Sequence, residues 1–299
     1  TLTEEQREGL GEGERSRFFS AKVLVFSRTE AYEGVIKTLI KLGHRKSAFF
    51  YSESLKARVL SEAIARRYSK IAEELPKDLA QEEENYIIKI RGLRKEMDIL
   101  YRNKAMDIYA KKEDELKKLK IEQAKFINRL RELYPEYAAI NYPKPIKPQD
   151  INLKPNEIMC EFEVSDDETN LFLVNGKDKS VTIRTISVTR KELEKLVLEY
   201  RNYFEGIENY SDLAKYNPKT ANKLYELLFG VTLDNLPKGS SIIIVPDEIL
   251  GILPFESLVT SLSEKVKMET GKYGPFPVGV KYLGDKFYVT YAQSGTSLT

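Results

Sequence analysis

The chain contains a single histidine, His44, and a single cysteine, Cys160. A cysteine nucleophile needs a thiolate beside an orienting imidazole, so these two residues are the sole candidates for that chemistry. Neither stands in a setting that favours it. His44 follows Leu42-Gly43, where an apolar helical pattern stops, and reads as the polar residue of a turn. Cys160 shares one face of an alternating run with Phe162 and Val164 and reads as a small buried hydrophobe. A zinc site would want several Cys or His ligands at close spacing, which the composition rules out. Carboxylates abound, but no Asp/Glu constellation stands out from the helix-surface background. Asp247 follows Pro246 at the end of an apolar run, where open α/β sheets place ligand residues; the ordinary reading is a turn former. Gly9, Gly11 and Gly13 follow no strand and make no phosphate loop. No catalytic, cofactor-binding or metal-binding residue is therefore assigned to this chain, and no cofactor is expected.

The elements that would position such groups follow from charge and periodicity. Lysine and arginine number 48 and aspartate and glutamate 46, a net charge of +2 with no long single-sign block. That balance gives no indication of nucleic acid or of a membrane surface as partner. One cysteine allows no intrachain disulfide and fits a reducing, cytoplasmic setting. No apolar run approaches the roughly 18 residues needed to span a bilayer. The polar start, Thr1 to Gly13, has no apolar signal core. The absence of an initiator Met and the abrupt polar stop at Ser294 to Thr299 suggest a fragment of a longer chain.

Residues 1–67 hold the first segment, helical from about 14. Phe18, Phe19, Val23, Leu24 and Phe26 are loosely amphipathic. Ala31, Val35, Leu39 and Leu42 recur at helical spacing, and Gly43 offers a left-handed cap. The pattern restarts at Ala48 and Phe49 and runs to Ile64, giving an αα-hairpin. Residues 68–148 are dense in charge. Pro76 sits where a helix can start. Tyr86, Ile90, Leu93, Met97 and Leu100 form one heptad seam; Leu116, Leu119, Gln123, Phe126, Leu130 and Leu133 form another, out of phase with the first. Two helices folded back with a turn within 102–114 are expected, one continuous helix being the alternative. Pro135, Pro143, Pro145 and Pro148 close the segment as a stiff linker.

Residues 149–299 change period. Ile158–Val164, Asn170–Val174 and Val181–Val188 alternate, and Asn175-Gly176-Lys177 is a hairpin signal, so three strands form an antiparallel meander. Thr189 with Glu192 is a capping box for one helix, and Asn217-Pro218 opens a second that Gly230 ends. Ser241–Val245 is continuously apolar, as a strand buried on both faces would be. Gly271 to Gly284 reads as a Gly/Pro-rich loop and Lys286–Tyr291 as a last strand.

Several of these stretches resemble a known family. Ala48-Phe49 through Ser54-Leu55-Lys56-Ala57-Arg58-Val59-Leu60 is similar to the motif joining tetratricopeptide repeats to a CHAT domain, with Leu55 where the family usually has Ser. Ala31-Tyr32, Leu39 and Leu42-Gly43-His44 resemble a repeat; arrays of such repeats need about three copies to bury their faces. Tyr134-Pro135-Glu136-Tyr137, Leu153-Lys154-Pro155-Asn156-Glu157, Leu224 to Leu228, Ile243 to Asp247, Leu250 to Leu258, Tyr282-Leu283 and Tyr291 to Ser294 continue the resemblance in order.

CHAT proteins are caspase- and separase-like cysteine peptidases with a His-Cys dyad. In the family both catalytic residues follow the segment that Tyr291 to Ser294 resembles. The resemblance therefore implies an α+β chain: a helical repeat end, a long helical hairpin, and a caspase-like α/β subdomain without the catalytic segment. Its role would be to scaffold the active half. The implied partner is that half, in the same protein or as a second chain. A protein regulator, such as the CRISPR effector that gates some relatives, could act through the helical segment. The alternative is a stand-alone interaction module. Substrate, activating signal and oligomeric state are not legible.

Overall fold

The computed structural model describes residues 22–23, 26–68, 75–142, 144–209, 212, 215–271 and 274–298. Gly9, Gly11, Gly13, Phe18, Phe19 and Leu24 lie outside them. The chain mixes helices with antiparallel and parallel strands. It forms two compact units, residues 1–35 with 54–145 and residues 36–53 with 146–299.

In the first unit, β1 (Lys22–Val23) and β2 (Phe26–Ser27) pair antiparallel. The helical reading of this stretch is corrected at those residues: Val23 and Phe26 favour extended backbone. Helices α1 (Arg28–Lys41) and α2 (Arg45–Tyr68) follow, each contributing to both units. Gly43 joins them at φ 76°, and the His44 and Gly43 amides donate to the carbonyls of Leu39 and Ile40 (2.9 and 3.0 Å). This is a Schellman turn, which needs the left-handed conformation glycine supplies.

Helices α3 (Lys77–Arg102) and α4 (Met106–Leu133) are an antiparallel hairpin. The Tyr86 and Phe126 rings lie 5.5 Å apart, and Lys112 pairs with Glu96 at 2.9 Å. Two out-of-phase seams can face each other only if the chain turns back. The turn is made without glycine: Lys104 takes φ 56°, and Ala105 and Lys104 donate to Leu100 and Tyr101 (both 3.0 Å). The linker reading is corrected at its start: Pro135, whose missing N–H suits the first helical position, begins helix α5 (Pro135–Asn141), which packs Tyr137 and Ala138 against Phe126 and Leu130. Buried Glu83 accepts from the Tyr137 hydroxyl at 2.8 Å and from that of Tyr142.

The second unit is built on a five-stranded sheet whose order is β5 (Val181–Ile186), β4 (Thr169–Asn175), β3 (Glu157–Val164), β6 (Ser241–Val245) and β9 (Tyr288–Tyr291). Strands β3, β4 and β5 are the antiparallel meander; β6 lies parallel to β3. At the β4–β5 turn, Gly176 is required by close approach, since a Cβ would fall 1.9 Å from the Lys154 carbonyl oxygen. Helices α6 (Arg190–Arg201) and α7 (Pro218–Leu228) cover one face. Thr189 and Glu192 form the capping box of α6, and the Asn217 side chain caps α7. On this face Cys160, Phe162, Ile242 and Ile244 meet Leu193, Val197, Leu224, Leu228 and Phe255. On the other, Met159, Phe172, Ile243 and Val245 meet Ile36, Ala48 and Phe49 of the α1–α2 hairpin. The hairpin's apolar face thus finds the sheet, and Glu161 and Glu163, which alternation would send to solvent, are buried.

In this unit two features differ from the sequence reading. Within the expected loop from Gly271 to Gly284, residues 274–282 form a strand, β8 (Gly274–Tyr282), paired antiparallel with β7 (Val259–Gly271) in a ribbon. Its glycines and prolines read as breakers, but an isolated two-stranded ribbon has outer edges where a missing proline N–H is tolerated. The last strand is shorter than expected: α8 (Leu283–Lys286) takes its start, and β9 (Tyr288–Tyr291) pairs parallel with β6.

Candidate functional site

Strands β3, β6 and β9 run the same way, so their carboxyl ends share one edge. Ligand sites of open α/β sheets lie at such edges. Here the edge carries acidic groups in specific engagements. Asp247, just after β6, accepts from the Val164 amide at 2.8 Å and so ties the ends of two parallel strands. Arg190, at the start of α6, binds Asp166 at 2.9 Å, the Val164 carbonyl at 3.2 Å, and Glu248. The turn-former reading of Asp247 is thus extended: its side chain is a strand-to-strand tie.

The best-formed polar cluster lies where α2 crosses the sheet within this unit. The Ser52 hydroxyl donates to Glu161 at 2.5 Å, both residues being buried. Glu53, fully buried, accepts from the Gly295 amide (2.6 Å), the Thr296 amide (2.8 Å) and the Thr296 hydroxyl (2.7 Å). These donors open the 3₁₀ turn Gly295–Leu298 that follows β9. Amide groups at a helix start point outward and carry partial positive charge, so a carboxylate docks there favourably. Gly295 lets it approach: a Cβ would stand 3.2 Å from the Glu53 carboxylate and 3.3 Å from the Met159 methyl. Ser294, also buried, accepts the Ser297 hydroxyl on its carbonyl at 2.6 Å.

None of this assembles nucleophilic chemistry. Cys160 is fully buried among apolar residues of the α6–α7 face, and burial raises its thiol well above the usual range, so it stays protonated. His44 is exposed in the Gly43 turn. No group of three or more Cys, His, Asp or Glu among the described residues is arranged to hold a metal. No described helix is long and apolar enough to cross a membrane. The chain matches no protein-family model and no curated protein.

Sequence reasoning missed Glu53 and Glu161. On a helix and a strand dense in charge each looks like a solvated face residue. Glu53 does fall in the stretch resembling the repeat-to-CHAT motif, and that was the one signal pointing to it.

Edge strand β9 completes the site. The amides of Tyr288 and Ala292 donate to the β6 side, to Ser240 (3.0 Å) and Ile244 (2.9 Å). Strand alternation then directs the amides of Val289 and Tyr291 the other way. No strand pairs with that edge among the described residues. The Tyr291 phenol folds back instead, donating to Glu256 at 2.5 Å and accepting from the Phe255 amide at 2.9 Å.

Proposed function

We propose that this chain is the non-catalytic front part of a CHAT-family, caspase/separase-like cysteine peptidase of the cytoplasm, and that it scaffolds an active half carried downstream or on a second chain. The observation that supports this most is the open parallel edge of β9, followed at once by the turn that Glu53 holds. The parallel strands β3, β6 and β9 end on an edge whose outward backbone groups pair with no strand among the described residues, and natural sheets cover or blunt such edges. A further strand could add to β9 through the outward amides of Val289 and Tyr291. The Glu53 clamp would fix the direction in which the chain leaves the sheet. Peptide-bond hydrolysis then resides outside residues 1–299. The helical hairpin α3–α4 exposes Ile88, Ile99, Ile108 and Ile121 and would receive a protein regulator.

Amide hydrogen exchange tests the scaffold role. In the isolated chain the Val289 amide should exchange fast. In the complete protein of the same reading frame it should be protected at least about tenfold, as a laddered amide is. Equal exchange in both would contradict the added strand.

A further inference from the structure

Away from the sheet edge, the second unit contains a cavity of about 480 Å³, within the ~300–1,000 Å³ span of ligand pockets. Its walls are the rings of Phe204, Tyr216, Phe276 and Tyr282, with Pro275 and Pro277. The fully buried Tyr200 sets two of these rings: its own ring meets Phe204 at 5.3 Å and Tyr216 at 6.4 Å, both edge-on. Tyr203 supports Tyr216 in the same way at 6.0 Å. Phe204 and Tyr216 then splay at 44°, 5.7 Å apart. Phe276 stands on β8 between the two prolines, which restrict the backbone of that wall. Phe204 and Phe276 are 42% and 46% exposed, so the rings are reachable from solvent. The polar groups nearby are committed elsewhere. The Ser257 hydroxyl is engaged with Tyr200 (2.7 Å) and the Pro254 carbonyl (2.6 Å). The Tyr216 hydroxyl is buried. Glu256 and Asp285 are exposed to solvent, where they accept from the Tyr291 hydroxyl (2.5 Å) and the Tyr282 amide (2.9 Å). What the cavity offers is ring and proline carbon, an almost wholly apolar surface.

That surface selects an uncharged ligand. A charged group would lose water there and find no polar partner in exchange. Among uncharged ligands, an aromatic one gains over an aliphatic one of similar area, because tilted and edge-on rings attract beyond burial alone. A peptide fits poorly. Its backbone would need hydrogen-bond partners, and Pro275 and Pro277 withhold donors from the adjoining strand β8. A free molecule brings no backbone to satisfy, and the volume takes more than one ring. We propose that this cavity binds a free, uncharged aromatic molecule of two or three fused rings. The inference is independent of the peptidase reading.

The probe 2-naphthalenemethanol tests it. The chain has no tryptophan, so naphthalene emission reports binding directly. A dissociation constant of about 0.1 mM or tighter is expected. Decahydro-2-naphthalenemethanol, which keeps the outline and loses the π faces, should bind at least about threefold more weakly. The anion 2-naphthoate should bind at least about tenfold more weakly, since its charge would be desolvated without a partner. Phe276→Ala, on an exposed wall, should weaken 2-naphthalenemethanol binding at least about fivefold at an unchanged melting temperature. No binding of 2-naphthalenemethanol at millimolar concentration, equal or tighter binding of the decahydro compound or of 2-naphthoate, or undiminished binding by Phe276→Ala would overturn the proposal. Titration calorimetry with acetyl-Ala-Ala-Trp-Ala-Ala-amide separates the sources of the ring. The peptide should bind more weakly than 2-naphthalenemethanol, and equal or tighter binding would overturn the free molecule as the occupant.

Discussion

At the scale of single residues, buried groups decide what this chain can and cannot do. Phe255 is fully buried, with Phe162, Phe229 and Tyr291 rings at 5.4, 6.0 and 6.3 Å. Phe255→Ala should cost about 3–5 kcal/mol in urea unfolding; a shift within error of zero would make it a surface knob instead. Glu53 is the sharper case. Glu53→Ala would leave the amides of Gly295 and Thr296 without their buried acceptor, and each such group costs about 1–3 kcal/mol. A loss of about 3 kcal/mol is expected, with faster exchange of the Gly295 and Thr296 amides. Unchanged exchange at those two positions would remove the clamp from the account. The burial of Phe255 was legible, because Leu253-Pro254-Phe255 follows a continuous apolar strand. The clamp was not: its partners, Glu53 and Gly295, lie at opposite ends of the sequence, and no local pattern links a helix-face glutamate to a glycine after the last strand.

At the scale of elements, periodicity carried most of the information. Two seams out of phase implied that α3 and α4 fold back, yet no glycine or proline marked the turn. The structure resolves this through Lys104, an L-residue held at φ 56° in a Schellman position. A side chain there strains the backbone by about 1 kcal/mol. Lys104→Gly should therefore stabilise the first unit by roughly 0.5–1 kcal/mol, in contrast to the destabilising effect of glycine inside a helix. Destabilisation would mean that the turn does not exist as described. The hairpin itself can be trapped: Glu82 and Arg129 form an ion pair across it. Cysteines placed at 82 and 129, with Cys160→Ala, should be joined within the chain by a short bismaleimide cross-linker, since a Glu–Arg pair spans more than the reach of a disulfide. Along one straight helix those positions would be roughly 70 Å apart at 1.5 Å per residue. The ribbon β7–β8 was the opposite case. Its Pro275 and Pro277 read as loop formers because local chemistry cannot say whether a proline faces a neighbouring strand or an open edge.

At the scale of the whole molecule, the buried hydroxyl and thiol groups set an alkaline limit. Burial raises the Cys160 thiol and pushes Tyr225 up to about 12, and partial burial beside the Glu256 carboxylate raises the half-exposed Tyr291. Each group is neutral when protonated. In the unfolded chain they would ionise near 9.0 for the thiol and 10.0 for the phenols. Stability from these groups is therefore complete below pH 9 and falls as pH rises beyond it, because the unfolded state releases protons first. The urea midpoint should be flat from pH 7 to 8.5 and decline above pH 9. A midpoint that rose with pH there would reverse the assignment. The central claim is that chemistry lies outside this chain. Its most direct test is to treat the complete protein with a peptidyl acyloxymethyl ketone, an electrophile that alkylates active cysteine nucleophiles, and to map the modified residue by mass spectrometry. The account predicts a modified cysteine beyond residue 299, with Cys160 untouched and Cys160→Ala labelled to the wild-type extent. Modification at Cys160, or a folded complete protein in which no cysteine is labelled, would contradict it.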